Sequence, residues 1–187
     1  YELNGVTAKS EDLEALQKAG FDLKLDLILN HLSVGSPQFQ DLLEKGENSK
    51  YKDFFIDWNN FWKGCGDLNA DGVLEPRAEY IRNMFFRKPG LPVLVAEFSD
   101  GSKKPYWNTF YQQITVDGQG KKYYQGHMDL NIQSPLVPKF YRPTFGKLAH
   151  YGARIVRLDA FASASNTVGA PNFLNAPETW NFPRPIP

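Results

Sequence analysis

Ala153-Arg154-Ile155-Val156-Arg157-Leu158-Asp159-Ala160-Phe161 sets an aliphatic run against an arginine and a carboxylate two positions apart. Such a run reads as a strand, and successive strand residues point to opposite faces. Arg157 and Asp159 therefore share one face, while Val156 and Leu158 pack on the other. A guanidinium beside a carboxylate keeps it ionised. Two readings of the pair follow: a structural ion pair at the end of a buried strand, or an oriented anion able to act as a nucleophile.

Upstream, Asp22-Leu23-Lys24-Leu25-Asp26-Leu27-Ile28-Leu29-Asn30-His31 is a second aliphatic run that ends in polar groups. The segment before it, Ser10 to Gly20, predicts a helix capped by Ser10, with Glu11 and Asp12 in its first turn and Gly20 closing it. Helix followed by strand is the rhythm of an α/β fold.

Asp26, Asn30 and His31, followed far downstream by Arg157 and Asp159, form Asp-x-x-x-Asn-His and Arg-x-Asp. In these motifs the sequence resembles the α-amylase superfamily of glycoside hydrolases, where they end the third and fourth barrel strands. Ser36 to Glu47, Arg87-Lys88-Pro89-Gly90-Leu91-Pro92 and Trp107-Asn108-Thr109-Phe110 narrow the resemblance to the sucrose phosphorylase branch. The similarity runs from about Ser10 to Trp180. It implies an α/β fold class: a partial (β/α)8 TIM barrel with an inserted α+β domain B. Residues 1–31 and 133–165 would be barrel segments, 32–132 the insertion, and 166–187 a loop with a Pro-rich tail.

The resemblance also implies a chemistry. Asp159 would attack the anomeric carbon of an α-glucoside in a retaining double displacement, and phosphate or water would release the glucosyl unit. Arg157 would orient Asp159, His31 would hydrogen-bond sugar hydroxyls, and Asp26 and Asn30 would shape the strand end. Trp107 to Gln113 resembles a stretch lying over the sugar pocket, with Phe110 and Gln113 on the substrate; an aromatic face and an amide suit a sugar. A hairpin with ordinary core aromatics is the other reading of that stretch. Implied partners are sucrose or a related α-glucoside and inorganic phosphate, with no cofactor and no metal, in the cytoplasm. Alternatives are a non-catalytic remnant, a carbohydrate-binding module, or part of an α-glucosidase or amylase-type hydrolase.

A complete barrel of this kind takes about 250 residues, and the chain has 187, so a piece of one is expected. The family's acid/base glutamate follows the next strand and is expected to fall beyond the chain. Glu178, the first carboxylate after Asp159, follows a Gly/Pro/Asn-rich loop and reads as a helix-start glutamate. General acid catalysis supplies roughly 10²- to 10⁴-fold, so the chain alone is expected to be nearly inactive on sucrose. Pro183, Pro185 and Pro187 forbid a helix at the tail, and Pro143 should kink the helix predicted over 134–148.

Zero net charge without a basic stripe excludes nucleic acid as an expected partner, and 42% hydrophobic residues fit a globular core. No apolar run approaches the ~20 residues of a membrane span, and no signal-peptide pattern opens the chain. Cys65 stands alone, with no metal-ligand spacing around it. Within 32–132, Ser36, Pro37 and Gly46 delimit a helix with Phe39, Leu42 and Leu43 on its buried stripe. Asp67 to Glu75 matches the first half of a calcium loop, but position twelve is Ala78, which favours an Asx-rich turn. Val93 to Phe110 reads as a hairpin turning at Asp100-Gly101.

Overall fold

The computed structural model describes residues 2–3, 5–87, 89–120 and 122–181, excluding the side chains at 110–114, 122, 124 and 178. In chain order its elements are α1 (Ser10–Lys18), β1 (Leu23–Ile28), β2 (His31–Ser33), α2 (Pro37–Lys45), α3 (Trp58–Phe61), β3 (Gly66–Leu68), β4 (Leu74–Pro76), α4 (Ala78–Ile81), β5 (Val93–Glu97), β6 (Lys103–Val116), β7 (Lys122–Asp129), α5 (Leu136–His150), β8 (Ala153–Asp159) and α6 (Glu178–Asn181).

The two aliphatic runs are neighbours. β1 and β8 pair in parallel, with Leu25 opposite Val156 and Ile28 opposite Asp159, so both C-terminal ends lie together. The chain between them builds a four-stranded antiparallel sheet, ordered β2-β7-β6-β5, and the small β3-β4 ladder. A single apolar core joins the parallel pair to the larger sheet: Leu27, Leu29, Phe39, Phe55, Tyr106 and Tyr141 are its buried members, with Val156 and Leu158 packed against it. A second cluster stacks Trp58, Trp62 and Trp107, with Trp58 and Trp107 centroids 4.8 Å apart, inside the favourable range for aromatic pairs.

Local signals explain several boundaries. The Ser36 hydroxyl accepts the Phe39 N–H at 3.3 Å, Pro37 opens α2, and Gly46 ends it at φ 55. α5 runs through Pro143 and docks on β1, where the Tyr141 hydroxyl donates to the Ile28 carbonyl at 2.7 Å. Glu178 begins α6, the helix-start position expected for it.

Three expectations are corrected. Ser10 lies inside α1; Lys9 is the cap, because the Asp12 carboxylate reaches back to the Lys9 N–H at 2.8 Å. β1 ends at Ile28, and His31 opens β2, because its backbone pairs with Asp129 of β7 rather than continuing beside β8. β8 is not a buried strand: Ile155 is 53% exposed, because β1 is its only partner among the described residues. No helix among the described residues is long and apolar enough to cross a membrane.

Candidate active site

Strand parity assembles the polar end of β1 and β8. Asp26 faces Arg157 across the ladder, and Arg157 precedes Asp159 by two residues. One guanidinium therefore reaches both carboxylates. Its Nε lies 3.1 Å from Asp26 Oδ1, and its Nη2 donates to Asp159 Oδ1 at 2.7 Å. All three side chains are about half exposed, where such pairs contribute at most about 1 kcal/mol. Orientation of the carboxylate, more than stability, is what this pairing provides. Directly after Asp159, Ala160 adopts a left-handed conformation at φ 54, costing roughly 1–2 kcal/mol for a residue with a Cβ. The chain thereby turns off the strand into a 3-10 turn, Phe161–Ser163.

His31 comes to the same end by a different route. The neighbouring strand β7 continues into Leu130, whose N–H donates to the Asn30 carbonyl at 2.9 Å and fixes the crossing from β1 to β2. Asn30 Oδ1 sits 2.6 Å from His31 Nδ1; an amide oxygen can only accept, so the proton lies on Nδ1 and Nε2 is left as an acceptor. The ring stacks on His127, with centroids 4.7 Å apart and planes 20° apart. Burial pushes the His31 pKa down, His127 and Arg87 add to this, and Asp159 pulls it up, leaving it at about 4. The imidazole is neutral at pH 7 and within electrostatic reach of Asp159.

Beneath this pair lies Asp129, in register with His31 and buried. Its Oδ2 accepts from the Thr109 hydroxyl, which in turn accepts from Trp107 Nε1 at 3.0 Å. Burial raises the Asp129 pKa to about 7, against the lowering effect of the Thr109 hydrogen bonds.

Phe110 and Gln113 belong to β6, but their side chains lie outside the described residues. No cluster of three or more metal-ligating side chains occurs among the described residues. In the Asp67 to Glu75 turn, Asn69 Oδ1 accepts the N–H groups of Asp71 and Val73, each at 3.0 Å, and its amide donates to Glu75. The side-chain oxygen of Asn69 is thus committed to the turn itself. A cavity of about 530 Å³ lies elsewhere, lined by Asp53, Asp57, Lys104, Asn131 and Asn166 among others, and not by Asp159, Arg157 or His31.

No family model matches the chain. A sucrose 6(F)-phosphate phosphorylase of Ilumatobacter coccineus is 58% identical over 182 residues, covering 97% of this chain and 34% of that protein. A sucrose phosphorylase of Streptococcus mutans is 29% identical over 182 residues, covering 97% of the chain and 33% of its own length. The crystal structure of sucrose 6F-phosphate phosphorylase from Thermoanaerobacter thermosaccharolyticum matches with a TM-score of 0.76 at 31% identity, over 97% of this chain and 33% of that one. The chain belongs to the sucrose phosphorylase branch of the α-amylase superfamily. It spans about a third of the length of these relatives and comprises part of a catalytic domain. Its structural neighbours are TIM-barrel enzymes of that superfamily, and the chain itself is a partial α/β unit.

Within this phosphorylase-branch chain, the structure brings together four residues singled out from sequence, Asp26, His31, Arg157 and Asp159. It adds His127 and Asp129, which sequence reasoning missed. Only the alternation in Gly126-His127-Met128-Asp129 signalled them, because their partners are distant in the chain. Arg87 stood in a motif block without a role, and its charge reaches His31.

Proposed function

We propose that the chain is the nucleophile-bearing part of a retaining α-glucoside phosphorylase, with β1 and β8 as the third and fourth strands of its barrel and residues 32–132 as the inserted domain B. The carrying observation is the Arg157–Asp159 hydrogen bond at 2.7 Å, at the shared C-terminal end of two parallel strands and beside a neutral His31. Asp159 attacks the anomeric carbon of the glucoside, the leaving sugar departs with a proton, and phosphate displaces the carboxylate with a second inversion. Arg157 holds Asp159 aimed through the 2.7 Å hydrogen bond from its Nη2. His31 offers Nε2 as an acceptor to a sugar hydroxyl, and Phe110 and Gln113 are assigned to the same sugar. The acid/base is assigned to no residue of this chain, so negligible turnover is expected from these 187 residues alone. Identity of 58% to a sucrose 6(F)-phosphate phosphorylase, against 29% to a sucrose phosphorylase, favours the phosphorylated disaccharide as donor.

The test is a graft of this chain in place of the 182 matching residues of the Ilumatobacter enzyme. The graft is expected to release glucose 1-phosphate from sucrose 6F-phosphate in the presence of phosphate, and Asp159→Asn to abolish this. A folded graft without turnover, or one indifferent to Asp159→Asn, would sink the reading.

A further inference from the structure

The cavity of about 530 Å³ that avoids Asp159 has walls from two distant parts of the chain. One comprises the segment that enters α3 and the turn that follows β7; the other is Ala164 to Val168, in the loop that leaves β8. Hydrogen bonds hold both in place. On the first wall the Asn131 N–H donates to the Phe54 carbonyl at 2.9 Å, and the Asn131 side-chain amide to the Asp53 carbonyl at 3.3 Å. On the second, the buried Ser165 and Thr179 hydroxyls lie 2.5 Å apart, and the Asn175 amide donates to the Ser165 carbonyl at 3.2 Å. The walls therefore keep their shape without an occupant.

The lining selects a class of ligand. Its charged groups are two lysines and two aspartates, Lys52, Lys104, Asp53 and Asp57, which sum to zero. Lys104 Nζ lies 3.0 Å from Asp57 Oδ2 and 2.6 Å from Glu47 Oε1, so the half-buried cation is already neutralised within the protein. An anion would find no strong, uncommitted cation in the interior of such a site. Asn60, Gln133 and Asn166 also line the cavity, and their side-chain amides make no hydrogen bond among the described residues. Each offers both donors and an acceptor, which matches the hydroxyls of a neutral ligand. Phe61, Ile132 and Val168 add apolar surface to the same space, as the C–H face of a sugar ring requires. The volume falls in the range of roughly 300–1,000 Å³ usual for small-molecule sites.

We propose that this cavity is a second sugar site, taking a neutral carbohydrate of one or two pyranose rings between the α3 segment and the loop that leaves β8. The loop wall begins just after the 3-10 turn Phe161–Ser163 that follows Asp159, so an occupant ties the α3 segment to that loop. Sugar binding here needs neither a nucleophile nor an acid/base, and so stands independently of the glucosyl transfer proposed above.

The experiment is an NMR titration of the labelled chain with maltose, sorbitol and inorganic phosphate in turn, following the backbone amides of Asn60 and Thr167, one on each wall. Maltose is expected to shift both amides along one saturable curve. Asn166→Ala and Gln133→Ala, on opposite walls, are each expected to weaken that curve by roughly fivefold, the factor for one lost net hydrogen bond, whereas Asp159→Asn leaves it unchanged. Sorbitol, which has the hydroxyls but no ring face, should bind more weakly, and phosphate should not shift these amides. The proposal is overturned if maltose gives no saturable shift at either wall, if both amide variants bind as the parent does, or if sorbitol or phosphate binds as tightly as maltose. Should Asn166→Ala fail to fold, Gln133→Ala on the other wall decides the matter alone. A grafted enzyme without turnover would leave all of these readouts intact.

Discussion

His31 and Asp129 face each other across one rung and carry opposite protonation errors relative to solution. His31 falls from its ordinary 6.5 to about 4, so between those values the unfolded chain binds a proton that the folded chain refuses, and stability rises with pH. Asp129 rises from 3.8 to about 7, so over that window the folded chain holds a proton that the unfolded chain has released, and stability falls with pH. The windows overlap, and the two slopes oppose each other across most of both. Asp129→Asn removes one slope and keeps an acceptor for the Thr109 hydroxyl. The stability of the variant relative to the parent is therefore expected to climb steadily from about pH 4 to pH 7 and then level off. Urea midpoints at pH 4.5, 5.5, 6.5 and 7.5 measure this, and a pH-independent difference would show that Asp129 is ionised throughout.

At the scale of elements, β3 and β4 depend on one missing side chain. A Cβ on Gly66 would lie 1.9 Å from the Glu75 carbonyl oxygen and 2.9 Å from Leu74 Cδ2, so the two strands meet only because residue 66 has none. Leu74 belongs to the tryptophan cluster, and its carbonyl accepts from Trp58 Nε1 at 2.7 Å. Gly66→Ala is thus expected to cost at least about 2 kcal/mol, the scale of overpacking at a rigid contact, and to shift tryptophan fluorescence; a neutral result would mean that the ladder can slide. That glycine was invisible as a sequence signal, whereas α2 was legible from Ser36, Pro37 and Gly46, since its caps are contacts within a few residues. The same distinction explains the site. Arg157 and Asp159 were readable because parity along one strand places them together. β2 is three residues long, and its pairing with β7 is set by contacts across the chain, so neither the end of β1 nor the stacking of His127 on His31 could be inferred from the local pattern.

For the whole molecule, the distribution of apolar surface carries the remaining consequence. The four-stranded sheet is backed by its own helix and tryptophan cluster, but the parallel pair consists of β1 and β8 alone, each with one edge unpaired among the described residues. Ile155 at 53% and Phe21 at 62% exposure lie on or beside that pair, and parallel sheets are ordinarily covered on both faces. Relatives with this pattern are about three times as long. Bare edges with apolar neighbours invite pairing with another copy, so the purified chain is expected to self-associate in a concentration-dependent way. Ile155→Lys places a charge on the exposed position while leaving Val156 and Leu158 against the core. It should move the population toward monomer in light-scattering chromatography without changing the circular dichroism spectrum. If the parent is monomeric across the accessible concentrations, the edges of β1 and β8 are shielded, and the exposure of Ile155 does not describe the chain in solution.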